Sequence, residues 1–595
     1  MSQSERAKPE EEAGPAGLGE AAGTAGQEGR APSLIGVLGA GTMGSGIAQL
    51  AARSGARALL HDPIAQALER GGARAREGLR KEAEKGRLTD EQARAAAERL
   101  QEVSELSELA PCELVIEAAP ERLELKHELF AALSEIVPGE CVLATNTSSL
   151  PVTAIAAAAS RPDRVVGMHF FNPAPLMSLL EVVAGERSSQ RALAVAQAAG
   201  EAMGKTVIRA SDGPGFLVNR CNRPFGLEAL RLLAERLAEV ETIDRICRLE
   251  GRFPMGPFEL MDLVGLDVGL EVSRSFFEQS FGEPRWRPSP ITARYVAAGF
   301  LGRKSGAGYY SYESDREPSR DAPARRRAKD PAPLEQAPPG RGEGVVVIAG
   351  EGVLAEELRN AASQAGYEVR SPHDPTGGVL PALIVDCAYE PIALDGPAAR
   401  APERPDRRGQ PASQGGAHVL LCCAGSLAAL DRGGSAVGFH VLAPLKQAQL
   451  VELTRNDSSS PLAAARAERF FAALGKHTAW VGDAPGLVLG RIVSQLINEA
   501  AFALGEGVGS AQDIDTGMVL GLNHPRGPLA WADEIGLDYV LRLLDALCSE
   551  YREERYRPAP ALRRLVSAGR LGRASGSGFF DYGERADEDA PAGGR

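Results

Sequence analysis

The alternation of apolar and polar positions runs through a complete cycle in the first half of the chain and then begins again. Residues 1–32 hold no aromatic side chain and are dominated by Gly, Ala, Glu and Pro. So little apolar surface cannot offset the entropy of ordering, and the stretch reads as a disordered tail. Short apolar runs follow, SLIGVL, ALLHD, ELVIE, CVLATN, RVVGMHFF and KTVIRA, separated by Ala/Leu/Glu-rich stretches of helical character. Residues 63–108 read as helical throughout, with breaks near Gly71-Gly72 and Gly86. Apolar runs of this length alternating with helices predict a parallel sheet covered on both faces, a Rossmann-type α/β domain over 33–210. From DGPGFLVNR onward the strands stop and Leu/Ala-rich helices take over, which predicts an all-α domain over 211–312. Residues 313–343 are Pro- and charge-rich and read as a linker.

Beyond the linker the pattern restarts. VVVIAGEGVLAEELRNAASQAG mirrors SLIGVLGAGTMGSGIAQLAARSG; LIVDCAYEP mirrors LVIEAAPER; VGFHVLAPLKQAQLVEL mirrors VGMHFFNPAPLMSLLEV. DAPGLVLGR, RGPLAWADEIGLDYV and GRASGSGFFDY likewise mirror DGPGFLVNR, MGPFELMDLVGLDVG and GRKSGAGYYSY. The α/β and all-α pair is therefore duplicated in tandem, with a degenerate Rossmann-like domain over 344–482 and a second helical domain over 483–582. A polar insert at 391–417 reads as a disordered loop, and 583–595 as a tail.

Composition narrows the function classes. A formal charge of −13 argues against a nucleic-acid partner. The eight cysteines show no C-x-x-C pair and no metal-ligand spacing, so no metal site is expected. No apolar run is long enough to span a bilayer and the N-terminus is acidic, so the expectation is a cytoplasmic protein without a membrane partner.

Two constellations carry chemistry. In GAGTMG, Gly39 makes a tight strand-to-helix turn, Gly41 lets backbone approach a pyrophosphate and Gly44 lets helix pack on strand, with Thr42 and Met43 between them at a helix N-terminus suited to an anion. Asp62, at the end of the next apolar run, can accept from both adenosine ribose hydroxyls and repels a 2′-phosphate, so NAD is expected rather than NADP. Glu121 and Lys126 lie near the start of a helix after the ELVIE run. Their pattern fits a solvated helix face as well as the cofactor crevice. The second constellation is GMHFFNPAPLMSLLE, with His169, Asn172 and Glu181. A carboxylate on one imidazole nitrogen fixes the tautomer and stabilises the cation, as a general base requires. A histidine beside two phenylalanines fits packing equally well.

With these motifs in view the chain resembles the L-3-hydroxyacyl-CoA dehydrogenase family, in particular its long bacterial members with a duplicated helical domain. The resemblance rests on GAGTMGSGIA, TNTSSL, H-F-F-N-P with Glu181 twelve residues after His169, G-P-G-F-L-V-N-R and the P-M-G-P-F-E-L block. It implies NAD-dependent, reversible oxidation of (S)-3-hydroxyacyl-CoA thioesters in fatty-acid, butyrate or phenylacetate catabolism. His169 would be the general base and Glu181 its orienting partner. Ser148 and Asn219 would hydrogen-bond the reacting oxygen, Asn172 would help to bind the substrate, and Glu121 and Lys126 would contact the nicotinamide end. Family members dimerise through the helical domain, so the tandem copies are expected to form a pseudo-dimer within one chain, with further homo-oligomerisation left open. A dehydrogenase of another hydroxy acid, such as a sugar acid, and a non-catalytic dinucleotide-binding protein are the competing readings.

The repeat provides an internal comparison. His440 and Glu452 keep the spacing of His169 and Glu181, so the dyad is expected to survive in the second copy. Ser148, Asn172 and Asn219 become Gly425, Ala443 and Gly490, which offer no side-chain hydrogen bonds. The second copy is therefore expected to be structural.

Overall fold

The computed structural model describes residues 30–312, 340–374, 380–388, 417–432 and 434–583. The tail expected over 1–32, the linker over 313–343, the loop over 391–417 and the tail over 583–595 lie, apart from a few end residues, outside the described residues.

The first sheet contains β1 (Leu34–Leu38), β2 (Arg57–His61), β3 (Leu100–Val103), β4 (Leu114–Glu117), β5 (Val142–Thr145), β6 (Val165–Phe170), β7 (Leu179–Ala184) and β8 (Thr206–Ser211), in the order β3-β2-β1-β4-β5-β6-β7-β8. All neighbours are parallel except β6 and β7. The central strands are buried along almost their whole length, as expected where helices cover both faces. Those helices are α1 (Thr42–Arg53), α2 (Ala65–Glu84), α3 (Asp90–Arg99), α4 (Leu123–Ile136), α5 (Val152–Ala156) and α6 (Gln190–Ala202).

The helical reading of 63–108 is corrected here in two places: α2 runs unbroken through Gly71 and Gly72, the break coming only at Gly86, and the segment does not stay helical to its end. Thr89 caps α3 through a capping box with Gln92, and the chain then forms edge strand β3 and a short 3₁₀ turn at Leu106–Leu109. Only the two ends of the sequence LQEV are buried, so a four-residue edge strand carries too few apolar positions to be told from a helix.

The first helical domain comprises α7 (Val218–Ala234), α8 (Val240–Leu249), α9 (Pro257–Val264), α10 (Leu266–Gln279) and α11 (Pro290–Ala297). The second sheet, β9 (Val345–Ala349), β10 (Glu368–Arg370), β11 (Leu383–Asp386), β12 (Ala417–Leu421), β13 (Val437–His440), β14 (Leu450–Thr454) and β15 (His477–Trp480), keeps the same order without a counterpart of β3 among the described residues, and the same single antiparallel pair, β13 with β14. Its helices are α12 (Val353–Gln364), α13 (Leu427–Leu430) and α14 (Pro461–Ala473). The second helical domain holds α15 (Leu489–Gly505), α16 (Ala511–Leu522), α17 (Pro528–Ile535), α18 (Leu537–Tyr551) and α19 (Pro560–Ser567).

The two helical domains pack on each other through α7 and α15. Every residue of α15 from Leu489 to Ala503 is buried, the mark of a helix enclosed on all sides. Each helical domain also seals the edge of the other copy's sheet: Ser211 donates its N–H to the Val508 carbonyl at 2.8 Å, and Gly482 to the Leu237 carbonyl at 2.7 Å.

Candidate active site

The glycine loop joins β1 to α1. Gly39 has φ of +101° and donates to the His61 carbonyl at 2.8 Å, and a Cβ at Gly44 would lie 1.7 Å from the Gly39 carbonyl oxygen, so neither position admits a side chain. Gly41 and Thr42 are exposed, Met43 is half-buried, and no side chain caps the α1 N-terminus. A Cβ at Gly41 would meet nothing within 4 Å. These are the properties of an open anion cradle. The Asp62 carboxylate accepts from the N–H of Ala40 at 2.9 Å and from that of Ile64 at 2.9 Å, one bond per oxygen, so each oxygen retains acceptor capacity. Asp62 thus positions the loop and keeps acceptor capacity beside it.

His169 on β6 and Glu181 on β7 are directly opposed in the antiparallel register, which puts both side chains on one face. Nδ1 of His169 lies 2.6 Å from Oε2 of Glu181; Glu181 is wholly buried and His169 nearly so. The other carboxylate oxygen accepts the backbone N–H groups of Leu217 and Val218 at 3.2 and 3.0 Å, from the entry to α7. The helical domain therefore locks the orientation of the dyad. Phe171 and Phe216 flank the imidazole at centroid distances of 4.7 and 5.8 Å. The ring is thus packed against aromatic side chains and also held at Nδ1 by a carboxylate, so the two readings left open for His169 are compatible.

Asn172 stands exposed at the start of the β6–β7 turn, Ser148 is exposed in the loop after β5, and Asn219 is half-buried in the first turn of α7, adjacent to Val218. The loop carrying Ser148 is held by Glu121, whose Oε1 accepts from the Thr147 hydroxyl (2.7 Å), the Ser148 and Ser149 N–H groups (3.0 Å each) and the Ser149 hydroxyl (2.9 Å). Burial works against the Glu121 charge, but Lys126 and these donors outweigh it and hold its pKa below the ordinary value. Lys126 is buried, its ammonium 2.8 and 2.9 Å from the two Glu117 oxygens and 3.4 Å from Glu121. Lys126 is therefore not part of a solvated helix face, whereas Glu121 stands exposed just ahead of α4 with its carboxylate engaged by the Ser148 loop.

Sequence reasoning missed three residues that support the site. Glu117 neutralises Lys126 and accepts from the Thr145 hydroxyl at 2.7 Å; Asn146 accepts the Phe170 N–H at 2.9 Å; Gln279 on α10 donates to the Ser149 carbonyl at 2.7 Å across the domain cleft. An acid at the end of a buried strand was the available signal for Glu117.

The expectation that the dyad survives in the second copy is corrected by the geometry. His440 and Glu452 are register partners on β13 and β14, but Nδ1 of His440 has no hydrogen-bond partner among the described residues. Its other nitrogen meets the Tyr539 hydroxyl at 2.9 Å, and burial pushes its pKa down to about 3. A Cβ at Gly490 would stand 2.4 Å from the imidazole, so an asparagine cannot occupy that place. Glu452 faces Glu250, which enters from the first copy's helical domain; the ligand atoms of Glu250, His440 and Glu452 lie within 4.8 Å of one another. Burial, then the mutual repulsion of the acids, raises the Glu250 pKa well above the ordinary value, and burial raises that of Glu452, so both carboxyls favour the neutral form. The offset that takes His169 to His440 takes Val268 to Tyr539 and Glu250 to Gly521. The first copy thus has a half-exposed valine where the second has the tyrosine that fills its cleft, and a glycine where the second receives a carboxylate.

Comparison with known proteins agrees with this architecture. Residues 34–213 match the family model described as 3-hydroxyacyl-CoA dehydrogenase, NAD binding domain, and residues 215–312 and 486–582 both match 3-hydroxyacyl-CoA dehydrogenase, C-terminal domain. A 3-hydroxyadipyl-CoA dehydrogenase of Escherichia coli (strain K12) is 36% identical over 532 residues, 89% of this chain and 96% of that protein. A probable 3-hydroxybutyryl-CoA dehydrogenase of Deinococcus radiodurans is 43% identical over 278 residues, 47% of this chain and 99% of that protein. The crystal structure of 3-hydroxybutyryl-CoA dehydrogenase from E. coli K12 superposes with a TM-score of 0.71 at 34% identity, covering 90% of this chain and 99% of that one.

Proposed function

The chain belongs to the 3-hydroxyacyl-CoA dehydrogenase family, and from that membership we propose how its residues carry out NAD-dependent oxidation of a 3-hydroxyacyl-CoA to the 3-oxoacyl-CoA. The open glycine loop, the uncapped α1 N-terminus and Asp62 fit the dinucleotide, which when bound accepts the hydride leaving C3.

His169 takes the proton of the C3 hydroxyl on Nε2, the nitrogen not engaged by Glu181. Glu181 stabilises the resulting imidazolium through the 2.6 Å hydrogen bond at Nδ1, and charge-assisted bonds of this kind are about twice as strong as neutral ones. Ser148 and Asn219 donate to the reacting oxygen, and Asn172, beside the dyad, steadies the substrate. Glu121, holding the Ser148 loop with Lys126 behind it, borders the nicotinamide end. The observation that carries this reading is the buried, doubly tethered dyad, together with its internal counterpart: the Tyr539 hydroxyl on His440 occupies the position a substrate hydroxyl would take on His169. The second copy, its cleft filled and its dyad dispersed, acts as scaffold in the role of a second subunit.

The test is consumption of NADH with acetoacetyl-CoA, compared with free acetoacetate and with free sugar acids in the oxidative direction. Turnover of the thioester alone is expected. Turnover of sugar acids without thioester activity would overturn the reading.

A further inference from the structure

Between α7, α9 and α10 of the first copy lies a pocket of about 130 Å³, walled by apolar side chains that include Leu230, Leu260 and Met261. One cation lines it. Among the described residues Arg223 has no carboxylate partner: its Nη1 reaches only the Ser273 hydroxyl, at 3.3 Å, and its Nε has no hydrogen-bond partner. The guanidinium stacks at 4.8 Å over Phe276, the ring that packs against Gly215 at the entry to α7. Burial alone pushes its pKa down to about 10, so it stays charged while its hydrogen-bonding capacity is largely unmet. An uncompensated arginine at an apolar pocket is costly, and a fold does not require it here.

The duplicated copy makes that last point directly. Helices α7 and α15 are of equal length and align without gaps, and α10 aligns with α18. Arg223 corresponds to Ser494, the neighbouring Asn222 to Val493, and Ser273 to Leu544. The polar end of the pocket exists only in the copy that keeps Ser148, Asn172 and Asn219.

Position assigns it to the acyl chain. Arg223 is four residues after Asn219 on α7, hence one turn, about 5.4 Å, along the same face. Across the cleft, Tyr539 of α18 reaches His440, so its α10 counterpart Val268 borders the His169 side of the first cleft, one residue from Gly269 in the pocket wall. A chain fixed at C3 between His169 and Asn219 needs about three further carbons, roughly 4 Å, to bring a terminal carboxylate within reach of Arg223.

Building on the function proposed above, we infer that Arg223 is a specificity residue that binds the terminal carboxylate of a dicarboxylic 3-hydroxyacyl-CoA, with Ser273 and Asn222 completing the anion site. The acyl chain runs from the dyad along α7 into the pocket, and its far end is an anion rather than a methyl group.

The experiment compares kcat/KM for NADH-dependent reduction of 3-oxoadipyl-CoA and of 3-oxohexanoyl-CoA, which differ only in a terminal carboxylate against a methyl. The full-length enzyme is expected to prefer the dicarboxylic thioester by at least about 10-fold. Arg223→Gln should lose about 30-fold or more on 3-oxoadipyl-CoA, mostly in KM, and far less on 3-oxohexanoyl-CoA, with Arg223→Lys recovering part of the loss. NADH affinity, read by fluorescence titration, reports that the variants remain folded. Equal losses on both thioesters, or no preference in the unaltered enzyme, would overturn the assignment while leaving the dehydrogenase reading intact. Inactivity on all acyl-CoA substrates would overturn both.

Discussion

Arg220 on α7 donates to Glu499 on α15 at 2.8 Å, and the same pair recurs in reverse, Arg491 on α15 donating to Glu228 on α7 at 3.0 Å. Arg491 is fully buried and also contacts Glu235, Tyr551 and Tyr556. Burial alone would raise the Glu228 pKa, but Arg491 and the neighbouring Arg231 and Arg555 bring it down to about 2. Removing one partner of such a pair strands a buried charge at a cost of about 3–5 kcal/mol. Arg491→Met is therefore expected to lower the urea midpoint for loss of helical circular dichroism substantially. An unchanged midpoint would mean the contact between the helical domains contributes nothing to stability.

His169→Gln keeps the shape of the ring site and removes the base. Turnover is expected to fall about 10² to 10⁴-fold with NADH binding preserved. Fluorescence titration with NADH and steady-state kinetics on acetoacetyl-CoA separate the two quantities, and retained turnover would remove His169 from its role.

Asp62→Ala withdraws the acceptor that holds the Ala40 N–H and the expected ribose partner. The NAD half-saturation should rise about 10-fold or more, since hydrogen bonds to charged groups are worth about 1.5–3 kcal/mol. The KM for the acyl-CoA should move much less. A uniform loss in both would point to a collapsed loop instead.

The acid pair of Glu250 and Glu452 makes stability depend on pH. Both carboxyls have folded pKa values above the ordinary 4.5, so their contribution is fully present below that value and is lost as pH rises through the raised values. The denaturation midpoint should fall between about pH 4.5 and about pH 8, and Glu250→Gln, which keeps the hydrogen-bonding shape without the charge, should flatten that fall by about 1–3 kcal/mol. An identical slope in the variant would exclude the pair as its source.

If the second cleft is only scaffold, calorimetry should find one NADH per chain, and Tyr539→Phe should leave kcat unchanged. Two equivalent sites would contradict this.

Much of this was legible in the residues. The glycine loop, the duplication and the twelve-residue spacing from His169 to Glu181 each map onto a backbone requirement: a positive φ at Gly39, equal helices α7 and α15, and opposed positions on β6 and β7. What escaped depended on contacts between distant segments. β3 was hidden because an edge strand of four residues has no period to detect. The His440–Glu452 spacing suggested an intact dyad, and only the intrusion of Glu250 and Tyr539, from two different helical domains, dismantles it. Arg223 carries no signal in the sequence, because its lack of a carboxylate partner among the described residues is a property of the packing around it.

The exchange of Glu250 for Gly521 has a consequence for how such a chain can change. Two identical subunits related by a twofold axis must alter both clefts with every substitution, so a carboxylate introduced against one dyad would disable its twin as well. Fusing the halves breaks that symmetry. Glu250 crowds the His440 cleft, while Gly521, pressed against Leu179 and Phe171, adds no side chain to the wall of the other. On the function proposed above, one gene thereby holds a catalyst and a template, each free to diverge from the other.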